Sequence, residues 1–186
     1  MKKRSVPRQI MGMLRSHIIT SIVMTILLLI ILGSVGSVLV LKNIIAYVMV
    51  AYYALTIYSD AYAYANDDLK SYTPLKGYAA KGFVLSLGIA VAIILAWVFY
   101  KISWMVAPIK ADSIPPYTIT AHILYMVLTG PFMSFVNVQG ASANLYGQLA
   151  ALFVPVLCTA WGYFDGYRKK DITGFISKFM YEKKKK

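Results

Sequence analysis

The chain has 186 residues, of which 59% are hydrophobic, and it carries 19 Lys and Arg against seven Asp and Glu. A soluble domain is about 45–50% apolar, whereas the apolar excess here falls in long runs almost without charge, as a bilayer requires. These features exclude an ordinary soluble domain, and they make an anionic membrane leaflet, rather than nucleic acid, the expected partner of the net charge of +12.

A basic segment, residues 1–16, precedes the first long apolar run. Residues 17–58 contain one charge, Lys42, and a single helix of that length would reach about 63 Å, roughly twice the hydrocarbon thickness. The run therefore predicts two spans, at about 17–35 and 38–58. The turn between them lies either in the Gly/Ser cluster at 33–37 or at Lys42-Asn43. Hydrophobicity resumes directly after the first span, which favours an uncleaved helix over a signal peptide.

Residues 59–81 form the first polar segment and contain Asp60, Asp67 and Asp68. Asp60 and the other two lie seven or eight positions apart, so a helix places them on one face. Carboxylates at a membrane boundary bind cations or relay protons, or they balance nearby lysines and cap a helix end. We favour the structural role, with Asp60 as the exception because it lies closest to the apolar run.

The third span is predicted at about 82–104, and it closes on interfacial aromatic and basic residues such as Trp97 and Lys101. Residues 117–138 are apolar but are interrupted at Gly130-Pro131, and the part before the break, about 18 Å if helical, is too short to cross. A re-entrant hairpin or an interfacial helix therefore competes with a kinked full span. This element contains His122.

The last span is predicted at about 145–164, with Pro155 inside it, and residues 168–186 form a basic tail that ends in four lysines. Asp165 follows this span directly. We expect it to form an ion pair with a basic residue of the 59–81 segment, since both lie in one interfacial layer.

The distribution of Lys and Arg favours four spans over five. If 117–138 does not cross, 16 of the 19 basic residues lie on the side of both termini; if it crosses, the sides carry eight and eleven. The positive-inside rule predicts the first arrangement, with both termini cytoplasmic at a plasma membrane.

The sequence contains no recognisable catalytic, cofactor or metal signature. Walker A and Rossmann glycine patterns are absent, the single cysteine, Cys158, suits a packing role, and His17 and His122 are expected on opposite membrane faces. We therefore expect no cofactor and no metal. The candidate functional residues are Asp60, Asp67, Asp68, His122, Pro131 and Asp165.

Two stretches carry a resemblance to a known group of proteins. One runs from Ile57-Tyr58-Ser59-Asp60-Ala61-Tyr62 through Asn66-Asp67-Asp68 to Lys81-Gly82. The other is Gly162-Tyr163-Phe164-Asp165-Gly166-Tyr167, followed by Phe179-Met180-Tyr181 and the lysine tail. Together they cover about a quarter of the chain, and they resemble small, uncharacterised multi-spanning membrane proteins of Gram-positive bacteria. The resemblance implies a bacterial plasma membrane and a paired cytoplasmic loop and tail, and it implies no activity.

The sequence thus predicts an all-α membrane protein of four transmembrane helices with a re-entrant or interfacial element at 117–138. The leading functional interpretation is a non-catalytic accessory or scaffold subunit of a membrane complex, because the spans contain no clearly central ionisable residue. A small oligomeric transporter or channel is the alternative, supported by the Gly130-Pro131 break. A membrane-embedded enzyme built on Asp60, Asp67 and Asp68 is a second alternative. Another membrane protein, or a second copy of the chain, is a possible partner.

Overall fold

The computed structural model describes residues 5–34, 39–70, 77–107, 114–136 and 144–168. The basic tail beyond Arg168, the first four residues and the residues between these ranges lie outside the described part of the chain. Within it, all regular structure is helical and no strand occurs, so the predicted all-α class is confirmed.

Six α-helices and one 3-10 turn make up this structure. The helices are α1 (Val6–Ser34), α2 (Leu39–Asp68), α3 (Lys81–Val106), α4 (Pro116–Leu128), α5 (Met133–Val136) and α6 (Leu145–Tyr167), and the 3-10 turn is Gly130–Phe132. Helices α1, α2, α3 and α6 are long and apolar enough to cross a membrane, whereas α4 is shorter. These four helices make the chain a multi-pass membrane protein.

The first two spans are longer than the apolar runs that predicted them. Helix α1 ends at Ser34 and α2 begins at Leu39, so Lys42 and Asn43 are helical, while residues 35–38 of the Gly/Ser region lie outside the described residues. Helix α2 has 30 residues, or about 45 Å, which exceeds a hydrocarbon layer of about 30 Å. It therefore carries its acidic residues beyond the apolar core of the bundle.

Contacts between named residues give the helix directions. Asp68 at the end of α2 meets Gln9 near the start of α1 and Lys81 at the start of α3, so α1 and α3 run antiparallel to α2. Gly162 of α6 lies against Tyr58 of α2, and α6 runs parallel to α2. We call the two ends of the bundle the Asp68 end and the Trp104 end.

The helices pack through stripes of buried residues spaced four apart. On α2 the stripe is Tyr53, Ile57, Ala61 and Ala65, all at 0% exposure. Large apolar side chains cover the opposite faces and are exposed, as lipid-facing residues are. Both the buried and the exposed face of each long helix are apolar along most of their length. The periodicity of apolar residues in the sequence therefore does not show which face is buried.

The segment from α4 to α5 is a re-entrant hairpin. Thr118 near the start of α4 donates a hydrogen bond to the Ser103 carbonyl at the Trp104 end. The buried 3-10 turn then packs on α1 and α2, where the Phe132 ring lies 5.7 Å from that of Tyr53, and the Phe135 ring lies 5.0 Å from that of Tyr47. Since α2 runs from the Trp104 end, these contacts show the chain turning back towards the end at which it entered.

Candidate functional site

A buried ion pair closes the Asp68 end of the bundle. The Nζ atom of Lys81 lies 2.5 Å from Oδ2 of Asp68, and the two side chains are 1% and 0% exposed. Gln9 donates from Nε2 to Oδ1 at 2.7 Å, and the Tyr163 hydroxyl donates to Oδ2 at 2.8 Å. The carboxylate thus has three hydrogen-bond donors, which offset the cost of removing its charge from water.

Each of these four side chains comes from a different long helix. Lys81 extends the buried stripe of α3, because it precedes Leu85 and Ile89 at intervals of four residues. Its ammonium also lies 5.9 Å from the centre of the Tyr163 ring, within the range of a cation–π contact. The network therefore joins α1, α2, α3 and α6 at one level.

The other two carboxylates of the acidic segment take different directions. The Ser16 hydroxyl donates to Asp60, which is half-buried, and Asp67 pairs with Lys70 at 2.5 Å on the surface. Asp60 and Asp67 both line an open cleft of about 390 Å³ between α1 and α2. The structure therefore brings Asp60 and Asp67 to one cleft and turns Asp68 into the bundle.

Asp165 forms a hydrogen bond with a tyrosine of α2 within the described residues. It is 5% exposed and accepts a hydrogen bond of 2.9 Å from the Tyr58 hydroxyl of α2. The expectation was a basic residue of the 59–81 segment. Lys76 of that segment lies outside the described residues. The glycines of α6 bring that helix close to α2, which places the Tyr58 hydroxyl within reach of the carboxylate.

A second buried polar site surrounds His17, in the middle of the candidate span Val6–Ile31. His17 is 1% exposed, and its Nδ1 lies 2.6 Å from the Tyr53 hydroxyl. Its Nε2 forms no hydrogen bond within the described residues. The sequence reading placed this histidine at the start of the first span, whereas the candidate span of the structure begins 11 residues earlier, at Val6.

The re-entrant turn supplies the backbone of this second site. Pro131 has no N–H group, so the Leu128 carbonyl lacks the i+3 donor that a 3-10 turn would otherwise offer. The Ser21 hydroxyl approaches this carbonyl at 3.4 Å, which is at most a weak hydrogen bond. A Cβ on Gly130 would clash with the Thr25 hydroxyl and lie 2.9 Å from the Ser21 carbonyl, so only glycine permits this close packing.

His122 lies elsewhere, on α4. It is half-buried, and its ring meets that of Tyr100 edge-on at 5.7 Å, while Tyr100 stacks on Tyr125 at 5.1 Å. The two histidines therefore contact different side chains. No group of three or more potential metal ligands occurs within the described ranges.

Sequence reasoning did not place Gln9, His17, Lys81 or Tyr163 among the candidate functional residues. A signal for two of them was present on α1, where Gln9, Met13, His17 and Ser21 recur every four residues in a mostly apolar helix. Such spacing places these residues on one face. For Tyr163 we see no such signal, because tyrosine is frequent throughout the chain.

Comparison of the chain with protein-family models, with curated proteins and with solved structures returned no match.

Proposed function

We propose that the protein is a small transporter or channel for small cations, with a conduit between α1, α2 and the re-entrant hairpin. The observation that carries the proposal is the buried Gly130–Phe132 turn, which packs against Ser21 and Thr25, one and two turns along α1 from His17. Irregular backbone at membrane depth occurs where it is buried in protein or lines a water-filled cavity.

Polar groups at successive levels of the bundle support this proposal. From the Asp68 end they are the Asp60–Ser16 contact in the open cleft, the His17–Tyr53 pair, and the Ser21 hydroxyl beside the Leu128 carbonyl. Intramembrane polar and ionisable groups commonly mark ion pathways. The groups are mainly oxygen acceptors, which favour cations over anions.

The hairpin adds an electrostatic reason for cation selectivity. Helix α4 ends at Leu128, so the partial negative charge of its C-terminus lies at the level of Ser21. Helices interrupted at membrane depth build ion sites in transporters through unwound carbonyls and helix C-termini. The Leu128 carbonyl has both properties.

The expected orientation follows from charge. Arg8, Arg15, Lys70, Lys81 and Arg168 lie towards the Asp68 end in the described part of the chain, so we propose that this end is cytoplasmic and that the membrane is the plasma membrane. The basic flanks would then adjoin an anionic leaflet.

The test is ion movement in proteoliposomes under separate gradients of Na⁺, K⁺ and H⁺, followed as charge displacement on a solid-supported membrane. We expect Pro131→Ala to lower the current about tenfold, because the new N–H can satisfy a backbone carbonyl of the site. Pro155→Ala is the matched control, since that proline lies in α6 away from the hairpin turn, and it should keep the current. Currents no larger than those of protein-free liposomes in all three gradients would overturn the proposal.

An accessory or scaffold subunit is the second candidate, favoured by an apolar groove of about 230 Å³ on the lipid-facing side of α3 and α6. Its apolar lining comprises Ile93, Ile94, Trp97, Tyr125, Leu145, Leu149 and Leu152. A partner helix that fills it should co-purify stoichiometrically in mild detergent and be lost in Trp97→Ala. Trp161→Ala, at a 65% exposed position outside the groove, should retain it. Elution of the chain alone would count against this candidate.

A further inference from the structure

Two open polar clefts adjoin each other on the α1–α2 side of the bundle. One is lined by the Asp60 and Asp67 carboxylates and the other by the Arg15 guanidinium, and each has a volume of about 390 Å³. Ser16 and Tyr64 line both clefts and form their common wall. The clefts therefore bring a cation and carboxylates to neighbouring positions on one surface.

The charges of these clefts mark the boundary of the apolar region on both helices. Arg15 is the last charged residue of α1, and Asp60 is the first charged residue of α2 after Lys42. Apolar runs of spanning length separate both residues from the opposite end of the bundle. The two clefts thus lie at a membrane–water interface, which is where lipid headgroups are found.

An exposed apolar stripe continues from this surface along α1. Ile19 lines the same cleft as Arg15, and Ile22 and Ile26 follow it at helical spacing. These three isoleucines are 50%, 38% and 53% exposed. A polar cleft that adjoins an exposed apolar stripe matches the two parts of a phospholipid, its headgroup and its acyl chains.

We propose that the two clefts bind the headgroup of one phospholipid with a primary amine, phosphatidylethanolamine, whose acyl chains lie along the stripe. A guanidinium binds two phosphate oxygens at once, so Arg15 holds the phosphate, and the Thr20 hydroxyl lines the same cleft. The ammonium donates to Asp60, whose Oδ2 is bound by the Ser16 hydroxyl and whose Oδ1 accepts no hydrogen bond within the described residues. Pockets between membrane helices bind lipid headgroups in this way.

The balance of charge selects the headgroup. Asp67 is already paired with Lys70, and Arg15 forms no ion pair within the described ranges, so Arg15 and Asp60 offer a ligand one charge of each sign. That balance fits a zwitterion better than an anionic headgroup, which would bring no cation to the carboxylate. A trimethylated ammonium has no N–H group to donate to Asp60 and fits less well. The inference stands whether or not the conduit carries ions.

The test is native mass spectrometry of the full chain in detergent micelles that contain phosphatidylethanolamine, phosphatidylcholine and phosphatidylglycerol in equal amounts and with identical acyl chains. We expect one retained phosphatidylethanolamine per chain, preferred about tenfold over phosphatidylcholine, on the scale of one charge-assisted hydrogen bond. Arg15→Gln should lower its retention about tenfold through loss of the phosphate contact. Lys101→Gln is the control and should keep it, because it removes a basic residue near the opposite end of α3.

Asp60→Asn distinguishes a lipid site from a purely structural role of this carboxylate. Asparagine keeps an oxygen that can accept the Ser16 hydrogen bond, but it removes the negative charge. We expect the variant to keep its thermal stability while its preference moves from phosphatidylethanolamine to phosphatidylglycerol. An unchanged preference in Asp60→Asn would overturn the inference.

Two other results would also overturn it. Retention of the three lipids in proportion to their supply would show that the clefts do not select a headgroup. Binding of soluble glycerophosphoethanolamine as tightly as the lipid would show that the apolar stripe contributes nothing and that the ligand is a soluble phosphate ester.

Discussion

A buried carboxylate such as Asp68 persists as a charge only where donors surround it. Here the donors are the Lys81 ammonium, the Gln9 amide and the Tyr163 hydroxyl. The neighbouring Asp67 makes a pair of the same length with Lys70, but on the surface. Two adjacent residues of one type thus offer a direct comparison between a buried and an exposed ion pair.

We predict that Lys81→Met destabilises the protein by about 3–5 kcal/mol, because it leaves the Asp68 charge buried without its cation. Lys70→Met should cost no more than about 1 kcal/mol, since the Lys70 and Asp67 side chains are 47% and 28% exposed and water screens the pair. The measurement is the midpoint of unfolding in detergent. Equal effects of the two substitutions would show that the Asp68 network contributes little.

The packing of whole helices depends on close approach between α2 and α6. Gly162 and Gly166 of α6 are four residues apart and lie against the backbone of α2; a Cβ on Gly166 would come within 2.7 Å of the Tyr62 carbonyl oxygen. Small residues at this spacing allow membrane helices to pack with their backbones in contact. Gly33 of α1, in contrast, has open space around it.

We expect Gly166→Ala to destabilise the bundle by about 1–3 kcal/mol, because neither the Tyr62 backbone nor the Ala65 side chain can move aside easily. Gly33→Ala should be neutral or slightly stabilising, since alanine is the better helix former and meets no neighbour. Thermal unfolding followed by circular dichroism in detergent compares the two. A stable Gly166→Ala protein would contradict the close α2–α6 contact.

The re-entrant hairpin is the element that the sequence left open. Gly130-Pro131 predicted an interruption but did not say whether the chain then continued across the membrane or returned. Packing decided it: the turn is held by the Ser21–Thr25 region of α1 and by the ring of Tyr53, and Phe135 then lies beside Tyr47 nearer the Trp104 end.

At the scale of the whole molecule, the hairpin determines on which side each loop lies. In a background with Cys158→Ala, single cysteines at Tyr117 and Tyr146 should both react with a membrane-impermeant maleimide from outside intact cells, as both positions are exposed at the Trp104 end. A cysteine at Lys70 should react only after the membrane is opened.

Reaction of the Tyr117 and Tyr146 positions from opposite sides would contradict the hairpin, because a full crossing of 117–138 separates them. Reaction of both from the inside would retain the hairpin and reverse the proposed orientation. A reporter fused after Lys186 provides an independent check, and we expect it to be cytoplasmic.

The sequence alone determined the class and number of the spanning helices, because a bilayer admits only long apolar runs with satisfied backbones. It also located the break at Gly130-Pro131. These features depend on composition and local chemistry, which a linear sequence contains.

Only the tertiary structure decided which face of each helix points inward. The spans are apolar around most of their circumference, so the packing of α1, α2, α3 and α6 sets the rotation of each helix about its own axis. This rotation buries Asp68 rather than Asp67 and brings His17 to Tyr53 at mid-span. That rotation depends on contacts between residues distant in sequence, such as Gly166 with Tyr62 and Lys81 with Asp68. No local pattern in the chain specifies such contacts.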